Sequence, residues 1–295
     1  MEVITSAEAF SSAMGAARSR GERVGLVPTM GALHPGHDSL VAAALDECDL
    51  CAVSIFVNPL QFTDHEDLAL YPRTEDEDLL RCARLGVGIV FVPGVIDMYP
   101  GWPQVPGPVA VPQLARAWEG ESRPGHFQGV VAAVSRLFAL GGACRAYFGE
   151  KDYQQLQTVT WLAAERFSQV DVVGCPTIRE PDGLALSSRN LALCPRARRA
   201  ATIVHRALVS ARQLAQGGER RPDRLCESMA TTIHSEPLAE LDYGAVVRAD
   251  DLVVPERLDG GRYRLLIAAA LAGVRLIDNL ALELTGREQM PRGAS

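Results

Sequence analysis

Short apolar runs alternate with amphipathic segments along the first half of the chain. Val24 to Pro28 and Cys51 to Val57 are almost continuously apolar, which is typical of strands covered on both faces. Between them, apolar residues recur at helical spacing from Gly36 to about Asp46. A strand–helix–strand order predicts a parallel sheet with helices on its faces. The predicted fold class is therefore α/β, with a Rossmann-like, doubly wound parallel sheet.

The same patterns predict further elements up to residue 140. They are a helix from Ser6 to Arg20 capped by Ser6, a helix from Glu75 to Gly86, a strand from Val87 to Val92 and a helix from Val130 to Leu140. Thr63 to Thr74 is polar and is predicted as a surface connection or a lid over a site. Pro93 to Pro112 is dense in Pro and Gly, which predicts a long irregular connection.

The second half of the chain has a different pattern. Two amphipathic helices are predicted at Pro195–Gly217 and Arg221–Ser235, followed by alternating, strand-like runs at Leu241–Val254 and Tyr263–Leu284. This change predicts two domains, a Rossmann-like α/β domain at residues 1–177 and a smaller C-terminal α+β domain at 178–295. The tail, about 286–295, is predicted to be disordered.

Composition narrows the class of protein. A net charge of −7 argues against a general nucleic-acid binder, whose footprint is basic. No apolar run reaches the roughly 20 residues that cross a bilayer, and the first ten residues lack the pattern of a signal peptide. Seven cysteines are scattered, and Cys48 and Cys51 form one C-x-x-C, predicted to be buried small residues. The expectation is a cytoplasmic protein with reduced thiols.

Candidate chemistry follows the first predicted strand. Thr29, Met30 and Gly31 form a turn, and HPGH at residues 34–37 opens the next helix. A helix start at a strand end aims free backbone N–H groups and the positive end of the helix dipole at one spot, where phosphates bind. A metal site lacks a third ligand and the HExxH pattern. We therefore predict that His34 and His37 donate to phosphate oxygens, although a histidine in a turn often has no such role.

Three later stretches carry polar groups where strands or turns end. Asn58 and Gln61 follow the second strand, although Asn-Pro alone is also typical of a capped turn. Lys151 follows the short run Ala146–Phe148 and could supply a point charge for phosphate or form a weak surface ion pair. Ser-Ser-Arg at residues 187–189 offers two hydroxyls and a planar cation, in a segment that could also be an ordinary turn.

Together these stretches resemble one protein family. PTMGALHPGH, FVNPLQF, FGEKDYQQL and SSRN occur in the order typical of pantoate–β-alanine ligases, within the HxGH nucleotidylyltransferase superfamily. The segments MYP, RPGHFQGV and VRLIDN are also similar to that family. The resemblance covers nearly the whole chain. It implies ATP-dependent condensation of pantoate with β-alanine through a pantoyl adenylate, releasing AMP and pyrophosphate.

The resemblance also implies that residues 1–177 bind nucleotide and pantoate, that residues 178–295 form a lid, and that particular residues have the following roles. ATP is expected to contact Pro28, Met30, Gly31, His34, Gly36, His37, Gly149, Glu150, Lys151, Asp152, Ile178, Leu186, Ser187, Ser188 and Arg189. Of these, His34, His37, Lys151, Ser187, Ser188 and Arg189 are the expected catalytic groups, with His37 as the family's acid. Pantoate and β-alanine are expected at Met30, Asn58, Gln61, Arg123, His126 and Gln155. Glu77 and Asp78 are the expected Mg²⁺ ligands, and a homodimer is expected.

Three positions depart from the family pattern. Leu186 replaces a frequent methionine, Pro35 a frequent acidic residue and Asp38 a frequent apolar residue. None of the three removes a group assigned to chemistry, but we expect Asp38 to alter helix packing or the local field. Two other functions stay open at this point. They are an HxGH nucleotidylyltransferase with another substrate, and a catalytically silent nucleotide-binding homologue.

Overall fold

The structure is a computed structural model that describes residues 1–63, 65–104 and 109–285, without the side chains of His65 and Asp67. The described chain divides into two compact units. The first unit comprises Met1–Ile178 and Leu186–Ser188, and the second comprises Arg179–Ala185 and the chain from Arg189 onward. The predicted disordered tail, 286–295, lies outside the described residues.

A six-stranded parallel sheet forms the centre of the first unit. Its strands are β1 (Glu2–Ile4), β2 (Val24–Thr29), β3 (Leu50–Ile55), β4 (Ile89–Phe91), β5 (Cys144–Gly149) and β6 (Val170–Cys175). The order across the sheet is β1-β4-β3-β2-β5-β6. The chain therefore winds outward from β2 in one direction and, after β4, returns to the other side of β2 through β5. This is the doubly wound topology that the alternating pattern predicts.

Helices connect these strands. They are α1 (Ala7–Ser19), α2 (Pro35–Glu47), α3 (His65–Leu70), α4 (Glu75–Leu85), α5 (Val95–Met98), α6 (Glu119–Ser122), α7 (His126–Gly141) and α8 (Tyr153–Arg166). Short 3₁₀ turns lie at Pro59–Gln61, Gln113–Ala115, Glu150–Asp152 and Ser188–Ala192. Ser6 caps α1 by accepting a hydrogen bond from the Ala9 N–H, as predicted.

Both faces of the sheet are buried, which explains the continuous apolar runs. Along β2, Leu26 packs into the core that contains Phe10, Phe91 and Phe138. Its neighbour Val27 packs into a second core on the opposite face. Successive strand residues point to opposite faces, so a strand between two cores needs apolar residues at every position. The predicted α/β fold is confirmed.

The second unit has its own core and a smaller sheet. Helices α9 (Pro195–Ala200), α10 (Thr202–Gln216) and α11 (Pro222–His234) precede an antiparallel sheet of β7 (Ala239–Arg248), β8 (Gly261–Leu271) and β9 (Val274–Leu284), in that order. Its core contains fully buried residues from α10, α11 and β8, which are Leu208, Met229 and Ile267. These elements confirm the predicted smaller α+β part of the chain.

One predicted helix is divided in two, and one predicted strand-like run contains a turn that the pattern did not locate. The helix predicted at Pro195–Gly217 is interrupted at Ala201, between α9 and α10. The run Tyr263–Leu284 contains two strands, joined by Ala272 and Gly273 with φ of 49° and 88°. Periodicity does not reveal this turn because apolar residues continue through it.

Other differences lie near the predicted site. Helix α7 begins at His126 rather than Val130, so His126 lies inside the helix that it was predicted to precede. The predicted lid, Thr63 to Thr74, contains α3. Strand β1 was not predicted, because three residues are too few to show a period.

Two general expectations are also tested. All seven cysteines lie in the described residues, and each is a free thiol, five of them buried, including Cys48 and Cys51. Among the described residues, the helices are all too short or too polar to cross a membrane.

Candidate active site

The crevice expected for a ligand lies where the sheet changes direction, between β2 and β5. The two strands pair only at Gly25–Arg145 and Leu26–Ala146. The ladder therefore ends well before Thr29 and Gly149, the last residues of the two strands. In open parallel sheets, ligands bind beyond the carboxyl ends of the strands at this switch point. The HPGH turn follows β2, and the segment with Lys151 follows β5.

The HPGH turn begins helix α2 and orients both of its imidazoles. His34 is the N-cap, with an extended backbone, and its Nδ1 accepts a hydrogen bond of 3.1 Å from the Gly36 N–H. The His37 Nδ1 accepts a bond of 3.2 Å from the His34 N–H. The two ring centroids are 4.1 Å apart. Each ring is thus fixed by a backbone N–H of the same turn.

These bonds decide which nitrogen carries the proton in each neutral ring. A backbone N–H can only donate, so Nδ1 of His34 and Nδ1 of His37 are both acceptors. The proton of each neutral imidazole therefore lies on Nε2. Both rings offer a donor away from their own backbone. Two N–H donors at a helix N-terminus suit the oxygens of a phosphate.

Burial keeps these rings neutral. The pKa of His37 is lowered to about 3, mainly by burial and then by the neighbouring His34, while Asp38 and Asp152 oppose the shift. The pKa of His34 is also lowered, mainly by burial and then by the positive charge of Lys151. Because the positive charge of Lys151 acts on the His34 ring, the two groups share one electrostatic environment. Hydrogen-bond donation, rather than a permanent positive charge, is what the imidazoles supply.

A pH titration tests the neutral state of His37. The folded-state pKa lies below the ordinary value of 6.5, so the unfolded chain takes up this proton first. His37 therefore contributes stability that is complete above about pH 6.5 and is lost as the pH falls toward 3. By NMR of the ligand-free protein, we expect the His37 ring signals to stay unchanged from pH 8 to about pH 5. A midpoint near 6.5 would contradict the buried, backbone-bonded geometry.

The turn before HPGH depends on a glycine and on a buried carboxylate. Gly31 has φ of 81°, and a Cβ there would lie 3.0 Å from the Asp78 Oδ2. Asp78 is 3% exposed, and its two oxygens accept bonds of 2.8 and 2.7 Å from the N–H groups of Ala32 and Leu33. The Thr74 hydroxyl lies 3.2 Å from the same Oδ2. Helix α4 thus holds the turn that leads into the imidazole pair.

Lys151 lies in the 3₁₀ turn Glu150–Asp152 that follows β5. Its Nζ is 3.6 Å from the Asp152 Oδ2, and 18% of its side chain is exposed. Lys151 is also the single lysine among the 29 lysines and arginines of the chain. The use of a single lysine in a chain whose other basic residues are all arginine is a signal that the prediction for Lys151 did not use. A compact ammonium suits a phosphate as a point charge.

The fourth predicted stretch is divided between the two units. Leu186, Ser187 and Ser188 belong to the first unit, and the Leu186 N–H donates to the Ile178 carbonyl at 3.0 Å. A Cβ built on Gly36 would lie 3.8 Å from the Leu186 Cβ, so this stretch reaches the start of α2. Arg189 belongs to the second unit, and its place at the site stays a prediction.

The predicted substrate residues after β3 form a linked set. Asn58 is 2% exposed, and its Nδ2 donates to the Gln61 Oε1 and to the Gly129 carbonyl, both at 3.0 Å. Its Oδ1 accepts from the Tyr99 hydroxyl at 2.8 Å. The Gln61 Nε2 lies 2.8 Å from the Met30 Sδ. These contacts make Asn58 an orienting group for Gln61, which is half-buried beside Met30.

His126 contacts Gln61 from helix α7. Its Nδ1 lies 2.8 Å from the Gln61 carbonyl oxygen, so Nδ1 carries the proton and Nε2 accepts from Arg123 at 3.3 Å. Burial, followed by the Arg123 charge, lowers the pKa of His126 to about 4. Gln155 is half-buried in the first turn of α8. Its role, like those of Gln61 and His126, stays a prediction.

Gln154, next to the predicted Gln155, has a function that the sequence did not indicate. It is 4% exposed, and its Nε2 donates to the carbonyls of Leu114 and Ala117, both at 2.8 Å. Its Oε1 accepts from the Glu119 N–H at 3.1 Å. Gln154 therefore fixes the chain before α6. Two adjacent glutamines in QQ offered no signal to tell the structural one from its more accessible neighbour.

The predicted magnesium pair does not converge on one point. Glu77 is exposed, whereas Asp78 is buried with both oxygens used by the turn before His34. Arg81, one helical turn later, places a guanidinium in the field of Asp78, which disfavours a cation there. Within the described part of the chain, no group of three or more His, Cys, Asp or Glu side chains could hold a metal ion. The assignment of Glu77 and Asp78 remains a prediction from resemblance.

The fold and the site together define the class of protein. A doubly wound α/β domain carries two Nε2–H imidazoles at a helix N-terminus beside a lysine at the switch point, which is typical of a nucleotide-binding enzyme. The pantoate–β-alanine ligase family model matches residues 2–281. The chain belongs to this family.

Curated relatives agree over nearly the full length. The pantothenate synthetase of Rubrobacter xylanophilus is 49% identical over 270 residues, covering 90% of this chain and 93% of the relative. The pantothenate synthetase of Moorella thermoacetica is 43% identical over 285 residues, covering 96% and 99%.

Solved structures of the same family share the fold. Pantothenate synthetase from Thermus thermophilus matches with a TM-score of 0.86 and 40% identity, covering 95% of this chain and 99% of its own. Pantoate–β-alanine ligase from Francisella tularensis matches with a TM-score of 0.76 and 32% identity, covering 95% and 97%. The latter was crystallised in complex with beta-gamma ATP and β-alanine.

Proposed function

We propose that this chain condenses pantoate with β-alanine in an ATP-dependent, AMP-forming reaction. The observation that carries the proposal is the pair of Nε2–H imidazoles at the start of α2, in a chain of the pantoate–β-alanine ligase family. The Lys151 charge felt at His34 supports a shared anion site.

In the first step, a pantoate carboxylate oxygen attacks the α-phosphorus of ATP. A new P–O bond forms, the bond to the β-phosphate oxygen breaks, and pyrophosphate leaves with the electron pair. The Nε2–H groups of His34 and His37 donate to the phosphate oxygens, and Lys151 offsets the negative charge. Ser187, Ser188 and Arg189 are the further groups proposed to bind these phosphates. Catalysis of this kind rests on positioning and electrostatic stabilisation.

Gln61 is proposed to orient the pantoate that attacks. An amide can hydrogen-bond the substrate without neutralising its carboxylate, whereas an arginine would stabilise the resting anion and weaken it as a nucleophile. Asn58 fixes one end of the Gln61 amide, and His126 fixes its backbone carbonyl. Gln155 is the proposed partner of Gln61 on pantoate.

In the second step, the β-alanine amine attacks the acyl carbon of pantoyl adenylate. A C–N bond forms, the bond between the acyl carbon and the AMP oxygen breaks, and AMP leaves with the electron pair. The amine loses its proton to solvent or to the departing phosphate. The proposed role of the site here is to exclude water, because hydrolysis of the adenylate competes with the amine.

Three finer features complete the proposal. Mg²⁺ would accompany ATP, and it would supply charge neutralisation on the phosphates. Glu77 and Asp78 stay the predicted ligands of this ion, and no step of the mechanism depends on it. A homodimer and a cytoplasmic location are also proposed, supported by the family resemblance and, for the location, by seven free thiols.

A product assay tests the proposed reaction. Purified protein with ATP, Mg²⁺, pantoate and β-alanine is expected to give pantothenate, AMP and pyrophosphate in equal amounts by mass spectrometry. Omitting pantoate or β-alanine should abolish pantothenate. Pyrophosphate release with phosphopantetheine or a mononucleotide instead of pantoate would favour another nucleotidylyltransferase. ATP binding without turnover on any acid would favour a silent homologue.

A further inference from the structure

Helix α4 contacts the chain at two points, just before and just after the HPGH turn. Asp78 binds the backbone N–H groups of Ala32 and Leu33, just before His34. Arg81 binds the side chain of Asp38, just after His37. Asp78 and Arg81 are three residues apart, so they lie on one face of the helix. We name these two contacts the α4 clamp.

The Asp78 half of the clamp stabilises an unusual backbone. Gly31 and Ala32 have φ of 81° and 50°, and positive values are uncommon for a residue with a side chain such as Ala32. A buried carboxylate that accepts from two consecutive N–H groups holds this turn in place. No other residue type of this length offers two charged acceptor oxygens. The entry angle of the chain into α2 is therefore set by α4.

The Arg81 half is a two-pronged ion pair. Nε and Nη2 of Arg81 donate to the two oxygens of Asp38 at 2.6 and 2.7 Å. The two side chains are 27% and 29% exposed, so solvent screens the pair only in part. Asp38 lies in the first turn of the helix whose N-terminus forms the proposed phosphate site. A lone carboxylate there would repel a polyphosphate.

We propose that Asp78 and Arg81 are positioning residues for the reaction, and that Arg81 also neutralises Asp38 so that ATP can approach the imidazole pair. This inference rests on the function proposed above. Neither residue needs to touch substrate: Asp78 fixes the backbone before His34, and Arg81 fixes and neutralises the side chain after His37. Asp38 is tolerated in this chain because α4 supplies its counter-charge.

Charge-removing variants separate neutralisation from packing. In Arg81→Gln, Asp38 loses its partner and its negative charge faces the incoming phosphates, so we expect KM for ATP to rise about tenfold or more, with a smaller change in kcat. In the double variant Asp38→Asn/Arg81→Gln, the carboxylate is gone, and we expect KM for ATP to return to within about threefold of wild type. The KM for pantoate serves as an internal reference.

A matched control is available at the end of α1. Arg20 and Glu22 form a two-pronged ion pair of similar length, 2.7 and 3.0 Å, outside the HPGH segment. Arg20→Gln should leave KM for ATP and kcat unchanged. Melting temperatures of all variants show whether the fold is kept. A double variant no better than Arg81→Gln would overturn the neutralising role, since a packing role predicts no rescue when the second partner of the contact is also removed.

Asp78→Asn tests the other half of the clamp. The amide keeps the shape but replaces one acceptor oxygen with a donor that faces a backbone N–H, so we expect kcat to fall more than about tenfold. Loss of the wild-type His37 Nδ1 bond, seen as a changed imidazole tautomer by NMR, should accompany it. Wild-type kcat in a folded Asp78→Asn protein would overturn this half. If wild-type protein itself makes no pantothenate, the proposed function fails instead, so the two failures are distinguishable.

Discussion

Replacing His37 by alanine is expected to lower adenylate formation by well over tenfold, toward roughly 10²–10³-fold for a lost transition-state donor. The reason is geometric. The His34 N–H fixes the His37 Nδ1 as an acceptor, which leaves Nε2–H as a donor beside the helix N-terminus. Alanine removes that donor, and the backbone around it has other supports. Most of the loss should therefore appear in kcat.

Pantoate-dependent exchange of pyrophosphate into ATP measures this effect without the second step. His234→Ala is the matched control, because His234 is an exposed histidine at the end of α11. It should keep wild-type exchange. Melting temperature and circular dichroism establish that His37→Ala is folded. Near wild-type exchange in a folded His37→Ala protein would remove His37 from the mechanism.

Replacing Lys151 by alanine is expected to cut adenylate formation by a similar factor. The ammonium is the single lysine charge of the chain, and its field reaches His34. Without it, negative charge on the phosphates loses a partner whose side chain is only 18% exposed, and water replaces such a partner poorly. Lys151→Arg keeps the charge but changes its shape and reach, so we expect only partial activity.

The uniqueness of Lys151 allows a direct test of its place. Pyridoxal phosphate forms imines with amines, borohydride reduces these imines to stable adducts, and this chain offers only Lys151 and the N-terminal amine. We expect peptide mapping to find label at Lys151, and we expect ATP to protect it. If ATP does not decrease the amount of label at Lys151, and Lys151→Ala keeps full activity, a phosphate-binding role is contradicted.

The fold was predictable where one local pattern decided the structure. The buried runs at β2 and β3 carry apolar residues for two cores, and the HPGH segment begins α2 because Pro35 and Gly36 suit the first turn of a helix. The boundaries at Ala201 and at Ala272–Gly273 were missed, since apolar periodicity continues across both breaks. Three-residue β1 was too short to recognise.

The residue types proposed for the chemistry follow from local motifs, but the residues that support them do not. Asp78 was assigned to a metal ion, yet its two oxygens hold the turn before His34, binding N–H groups that lie 46 and 45 residues away in sequence. Contacts between distant segments of this kind have no local signature. The same holds for Arg81 with Asp38 and for Gln154 with the chain before α6. The proton positions on the two imidazoles also needed the backbone geometry.

The central claim is that the imidazole pair and Lys151 bind one ATP whose α-phosphorus is attacked by pantoate. The most direct measurement is isotope exchange between pyrophosphate and ATP by the wild-type protein, with pantoate present and β-alanine absent. We expect rapid exchange that disappears when pantoate is omitted. Exchange that is absent with pantoate, or that proceeds equally well without it, would contradict the claim.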